Sequence, residues 1–204
     1  MLLEPLVILD FETTGLSPEQ GDRITEVGLV RIDGNRIAGR YSSLVNCGTR
    51  VPSFITAYTG ISQAMVDGAP AVGVVLREML TFIGEAAVVS HGAQFDQRFF
   101  VNECHHASLA PDTLPPFLCS LQLSRRVHPT LRSHSLGVLA HQLKLPIAGL
   151  AHRAPADAEV TAELVLNLVR ELESTHAGIR VDAQLLRRLM HSIMPSQPEL
   201  KYAV

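Results

Sequence analysis

Pro5-Leu6-Val7-Ile8-Leu9-Asp10-Phe11-Glu12-Thr13-Thr14-Gly15 is an apolar run that ends in two acids and a glycine turn. Residues 5–9 are rich in branched side chains with no polar residue between them, so they read as a strand covered on both faces, central in its sheet and ending at Asp10. Asp10 and Glu12 are two residues apart, which along an extended chain puts both carboxylates on one face while Phe11 points the other way into the core. Two such negative charges at the edge of a buried strand repel each other, and a shared divalent cation would offset the cost.

Outward from this strand, Glu26–Ile32 and Arg36–Val45 carry strand-like content around Asp33-Gly34-Asn35, whose Asp-Gly pair marks a hairpin. Short helices are expected over Ser53–Tyr58 and Ser62–Val66, and a longer one from Pro70 to about Ile83. Glu85–Ser90 reads as a second buried strand, followed by a turn at His91-Gly92 and a helix over Gln94–His106. After the prolines at 111, 115 and 116, Phe117–Leu121 has strand character and Ser120–Val127 helical character, with no clear boundary. Ser133 or Ser135 can cap the helix carrying Leu136 and Leu139, Pro155 opens a long amphipathic helix to about Thr175, and a last one spans Asp182–Ile193. Strands in a meander, then strands alternating with helices, predict an α/β fold with a mixed sheet flanked by helices.

At 204 residues the chain fits one domain, taken here as residues 1–176 with a helical extension over 177–204 on or beside it. A hydrophobic content of 47% against 18% charged residues provides a substantial core and excludes a disordered chain. No run is long enough to span a bilayer, the first residues lack a basic signal-peptide segment, and Cys47, Cys104 and Cys119 have no paired spacing; a cytoplasmic protein with free thiols and no membrane contact is expected. The net charge of −3 argues against coating long nucleic acid by charge alone. It hides an asymmetry. Thr113 to Ala156 contains no acid but holds Arg125, Arg126, Arg132, Lys144 and Arg153, a partition suited to phosphates on one side and a carboxylate site elsewhere.

Two further acidic elements join Asp10 and Glu12. Asp96 lies in the first turn of a helix that follows a strand, and His152-Arg153-Ala154-Pro155-Ala156-Asp157 puts a histidine on a loop and an aspartate in the first turn behind Pro155. Each is weak alone, since a first-turn Asp also complements the helix dipole. Their order and settings together resemble the DEDDh, or DnaQ-like, 3′→5′ exonucleases of the ribonuclease-H-like superfamily, which include the proofreading epsilon subunit of bacterial DNA polymerase III and ribonuclease T. The family motifs match Asp10 to Gly15, His91 to Asp96 and His152 to Asp157, with supporting similarity at Pro52, Thr59-Gly60-Ile61, Met65-Val66 and Ser133-His134-Ser135-Leu136. Gly92 stands where many members have Asn.

The resemblance implies a ribonuclease-H-like sheet and a two-metal hydrolase that releases nucleoside 5′-monophosphates. Two Mg²⁺ or Mn²⁺ ions roughly 4 Å apart would clamp the scissile phosphate. Asp10 would bridge both, Glu12 and Asp157 would complete one site, and Asp96 would hold the other largely through water. His152 would take the proton from the attacking water. Thr13, Thr14, Gly15, Leu16, Ile61, Met65 and Phe99 would meet the terminal nucleotides, and Arg125, Arg126 and Arg153 would guide phosphates. The implied partner is a single-stranded 3′ end of DNA or RNA. A DNA polymerase and a second copy joined through helices stay open as partners. So do two other functions: a catalytically silent nucleic-acid-binding or polymerase-associated module, and an Asp-nucleophile phosphatase, for which only Lys144 and Lys201 are available as the usual lysine.

Overall fold

The computed structural model describes residues 2–109, 115–146, 149, 152–176 and 179–191. Five strands form one sheet in the order β3-β2-β1-β4-β5. They are β1 (Leu6–Thr13), β2 (Ile24–Asp33), β3 (Arg36–Leu44), β4 (Ala87–Ser90) and β5 (Phe117–Cys119). β1, β2 and β3 pair antiparallel, whereas β4 and β5 join parallel to β1. The expected mixed sheet, with its first strand central, is therefore present.

β1 runs further than its apolar stretch. It does not end at Asp10, because pairing with β2 continues through Asp10 opposite Gly28 and Glu12 opposite Glu26 before a register shift at Thr13. Backbone pairing, not side-chain polarity, sets where this strand stops. Alternation along it divides the interior. Leu6 and Ile8 enter a core beneath α7 (Ala154–Thr175), while Val7, Leu9 and Phe11 enter one built by α3 (Val72–Ile83) and α4 (Ala93–His106). By that alternation Asp10 and Glu12 share the face that α7 covers.

α1 (Ser53–Thr59) and α2 (Gln63–Asp67) close a third, small cluster of Cys47, Val51, Ile61 and Val66. α3 begins two residues after Pro70, whose carbonyl instead accepts from Asn46 N–H. The ambiguous segment resolves into β5 followed directly by α5 (Ser120–Val127), and α6 (Leu136–Gln142) starts behind Ser135. α8 (Ala183–His191) buries Leu185 and Leu186 in the α7 core, so this amphipathic helix turns its apolar face to its own chain. Leu2 and Val181 form a bridge beside it. The expected helix end at Ile193 and the polar tail lie outside the described residues.

α7 decides the site. Its buried row includes Val160, Leu164, Leu168 and Leu172, and each such side chain withdrawn from water contributes roughly 1.5–3 kcal/mol. Its first turn lies directly on β2, where a Cβ on Gly28 would sit 2.3 Å from the Ala154 carbonyl oxygen. Backbone cannot swing aside as a side chain can. Gly28→Ala is therefore expected to lift the start of α7 and to cost about 1–3 kcal/mol, read as a lower urea midpoint; an unchanged midpoint would show that α7 is not seated there.

Candidate active site

Three carboxylates converge where β1 meets α7. One oxygen from each of Asp10, Glu12 and Asp157 can be chosen so that all lie within 4.8 Å of one another. Strand alternation presents the first two, and the opening turn of α7 presents the third. Asp96, only 4% exposed in the first turn of α4, stands outside this triad but near it, and its charge is the strongest neighbouring influence on Asp10. Among the described residues no Lys or Arg forms an ion pair with any of the four.

Burial, then mutual repulsion, raises these acids. Asp10 is held well above the ordinary carboxylate range by burial and then by Asp96, Asp157 and Glu12. Glu12 is pushed up to about 7 by burial and by Asp157 and Glu26, with Arg153 pulling the other way. Burial takes Asp96 to about 8, against a lowering contribution from the Phe11 backbone, and it also raises Asp157. Acids this close and this poorly hydrated need positive charge to ionise together. Oxygen-only ligands of that kind suit a hard divalent cation.

His152 lies on the loop entering α7, exposed, with a left-handed φ of +61°. Histidine tolerates that region better than most residues, and such strain concentrates at functional sites. Its backbone N–H donates to Asp157 Oδ2 at 3.0 Å, and its ring stacks on Tyr58 with centroids 4.0 Å apart.

The loop after the first acids is built around Asp22. That carboxylate accepts from Ser17 N–H and the Thr14 hydroxyl, and it fills the space a side chain on residue 15 would need, which explains Gly15. Thr13 and Thr14 are buried, whereas Leu16 is 75% exposed at the loop tip. Met65 is partly exposed. Ile61 and Phe99 are fully buried, Ile61 in the small cluster under α1 and Phe99 in the α3–α4 core, so packing and not a terminal base surrounds them.

Of the three arginines, Arg125 is exposed, and Arg126 donates through Nε to the Leu189 carbonyl of α8. Arg153 donates to Glu26 through Nε at 3.0 Å and through Nη2, so its guanidinium faces a carboxylate and not an open groove. His91 is structural. Its Nε2 must donate to the His134 carbonyl, its Nδ1 lies 2.9 Å from the Ser120 hydroxyl, and burial lowers its pKa.

Glu26 escaped the sequence reading. It is 3% exposed, pairs opposite Glu12, and accepts from both Arg153 and the Ala154 N–H that opens α7. A lone acid inside the apolar run from Ile24 to Val30 was its signal. Removing one partner of a buried pair strands the other charge, so Glu26→Ala is expected to cost about 3 kcal/mol or more in a denaturant melt. A loss below 1 kcal/mol would mean that Arg153 finds water instead.

Comparison with known proteins agrees with this geometry. The RNase T exonuclease family model matches residues 7–165. The chain belongs to that exonuclease family. DNA polymerase III subunit epsilon of Aquifex aeolicus is 35% identical over 166 residues, covering 81% of each chain. The 3′-5′ exonuclease DinG of Bacillus subtilis is also 35% identical, over 81% of this chain but 18% of its own length. Among solved structures, exonuclease X in complex with 5′ overhanging duplex DNA superposes with a TM-score of 0.70 at 26% identity, covering 91% of this chain and 99% of its own. The nuclease domain of 3′hExo, a DEDDh member bound to rAMP, shares the fold with a TM-score of 0.72 at 20% identity, over 82% of this chain and 92% of its own. The protein is thus a DEDDh-type 3′→5′ exonuclease with a ribonuclease-H-like fold, a family that uses divalent metal ions. No helix among the described residues is long and apolar enough to cross a membrane.

Proposed function

We propose that this exonuclease removes nucleoside 5′-monophosphates from the single-stranded 3′ end of DNA, using two Mg²⁺ or Mn²⁺ ions. The convergence of Asp10, Glu12 and Asp157 within 4.8 Å, with no Lys or Arg ion pair to them among the described residues, carries this reading. Asp10, Glu12 and Asp157 would hold one ion; Asp10 and Asp96 would hold the other. What the ions supply when bound is charge neutralisation at the scissile phosphate and a more acidic attacking water.

The remaining work falls to the chain. His152 accepts the proton of that water at an imidazole nitrogen, and its N–H to Asp157 keeps the loop at the rim of the acids. Leu16 offers an exposed apolar tip to the terminal base, with Met65 as a second contact. Arg125, exposed in the last turn of α5, would meet a phosphate further along the strand. The matched coverage with an epsilon subunit supports DNA as substrate and a polymerase as partner, with proofreading as the role. Free Cys47, Cys104 and Cys119 suit a reducing, cytoplasmic setting.

The test is digestion of 3′-labelled single-stranded DNA, mismatched duplex DNA and short RNA, each with Mg²⁺ or Mn²⁺. Labelled mononucleotide should appear fastest from single-stranded DNA. Preference for RNA would overturn the DNA assignment, and label retained on a tightly bound strand would overturn hydrolysis itself.

A further inference from the structure

We infer that Tyr58 is a positioning residue for His152, an inference that rests on the exonuclease reading above. His152 hangs from a loop, is exposed, and has a strained backbone; the Tyr58 ring is the one aromatic contact recorded for its imidazole among the described residues. A histidine so placed would otherwise sample several rotamers, and a base is useful only in the rotamer that reaches the water.

Tyr58 comes from firmer ground. It lies one residue before the end of α1, which closes on the buried Thr59 and a left-handed Gly60. The Thr59 hydroxyl donates to the Ile55 carbonyl and accepts from Ile61 N–H, tying the helix end to the small core of Cys47, Val51, Ile61 and Val66. The phenol ring therefore projects from a fixed platform, 61% exposed, and covers one face of the imidazole at 4.0 Å and 30°. Asp157 holds the loop by its backbone and Tyr58 holds the ring, so the base is gripped from two independent elements. An aromatic stack of this kind favours the held rotamer by up to about tenfold.

Phe54 provides an internal control. It sits one turn earlier on α1, is 66% exposed, and has no recorded ring contact with His152. If α1 merely offered aromatic surface to nucleic acid, both side chains would matter through substrate affinity. If Tyr58 positions the base, it alone matters, and through turnover.

The experiment compares wild type, Tyr58→Ala, Tyr58→Leu, Tyr58→Phe and Phe54→Ala with Mn²⁺ and a labelled oligonucleotide, alongside the ring-proton resonances of His152 in a carbon-edited spectrum. For Tyr58→Ala and Tyr58→Leu, kcat should fall about tenfold with KM nearly unchanged, and the His152 ring protons should lose the upfield displacement produced by the phenol. Tyr58→Phe should restore both, and Phe54→Ala should change neither. A rise in KM with kcat intact would make Tyr58 a base-stacking contact and overturn the inference. So would an increase in kcat, which would mean that the stack stores the base in an idle position, or resonances unmoved by Tyr58→Ala. An inactive wild type would sink the exonuclease reading; an active wild type with an indifferent Tyr58→Ala sinks only this inference.

Discussion

Asp10→Asn is expected to lower nucleotide release by about three orders of magnitude or more, while making the metal-free protein more resistant to heat at alkaline pH. The first effect follows from charge. Asn keeps the shape of Asp10 but withdraws a formal ligand charge from both proposed ion sites, and metal assistance supplies several kcal/mol of barrier lowering at 1.36 kcal/mol per decade. The second follows from the raised acids. A carboxyl group whose pKa is higher in the folded chain binds its proton more tightly there, so its contribution to stability is complete at acid pH and is lost as pH climbs through the folded value. With Glu12 at about 7 and Asp96 at about 8, that loss begins once pH passes the ordinary carboxylate range and is complete only at mildly alkaline pH. Removing the Asp10 charge relieves Asp96, Asp157 and Glu12 together, the trade between stability and function expected where like charges are gathered for a purpose. Thermal melts of the chelated wild type and variant at several pH values, with and without Mn²⁺, check it. A variant that melts lower than wild type at high pH, or digests at the wild-type rate, would contradict the argument.

His152→Ala should reduce kcat by about 10²–10⁴ while leaving Mn²⁺ affinity within a few-fold of wild type, measured by calorimetry. General-base assistance has that range. The metal should bind regardless, because the His152 hydrogen bond to Asp157 comes from the main chain, and alanine retains that N–H. Residue 152 sits at φ +61°, where alanine is less comfortable, so His152→Asn separates lost chemistry from backbone strain. Asparagine accepts left-handed geometry but has no imidazole, and it should be equally slow. Loss of metal binding in both variants would move His152 from proton transfer to holding the ions.

Most of the sheet was legible because its signals are local: a continuous apolar run for β1, an Asp-Gly turn between β2 and β3, and a proline-led amphipathic pattern for α7. Boundaries were less so, since partners set them. β1 extends past Asp10 because β2 continues to pair with it, and the start of α3 yields to a bridge between Asn46 and Ala71. In the site, order along the chain singled out Asp10, Glu12 and Asp157, which the fold gathers, but not their neighbours. Ile61 and Phe99 look alike in sequence whether they pack or stack, and burial decides for packing. Arg153 reads as a free cation until β2 brings Glu26 beneath it, 127 positions away in the chain. Tyr58 and His152 are almost as distant, and no periodicity could pair them.

The clamp of Glu26 on Arg153 and on the opening amide of α7 means that the cage is shaped by protein alone before any cation arrives. Stripping the enzyme with a chelator should therefore silence it without melting it. Re-addition of the ion should revive it on the timescale of mixing, since nothing large has to be rebuilt.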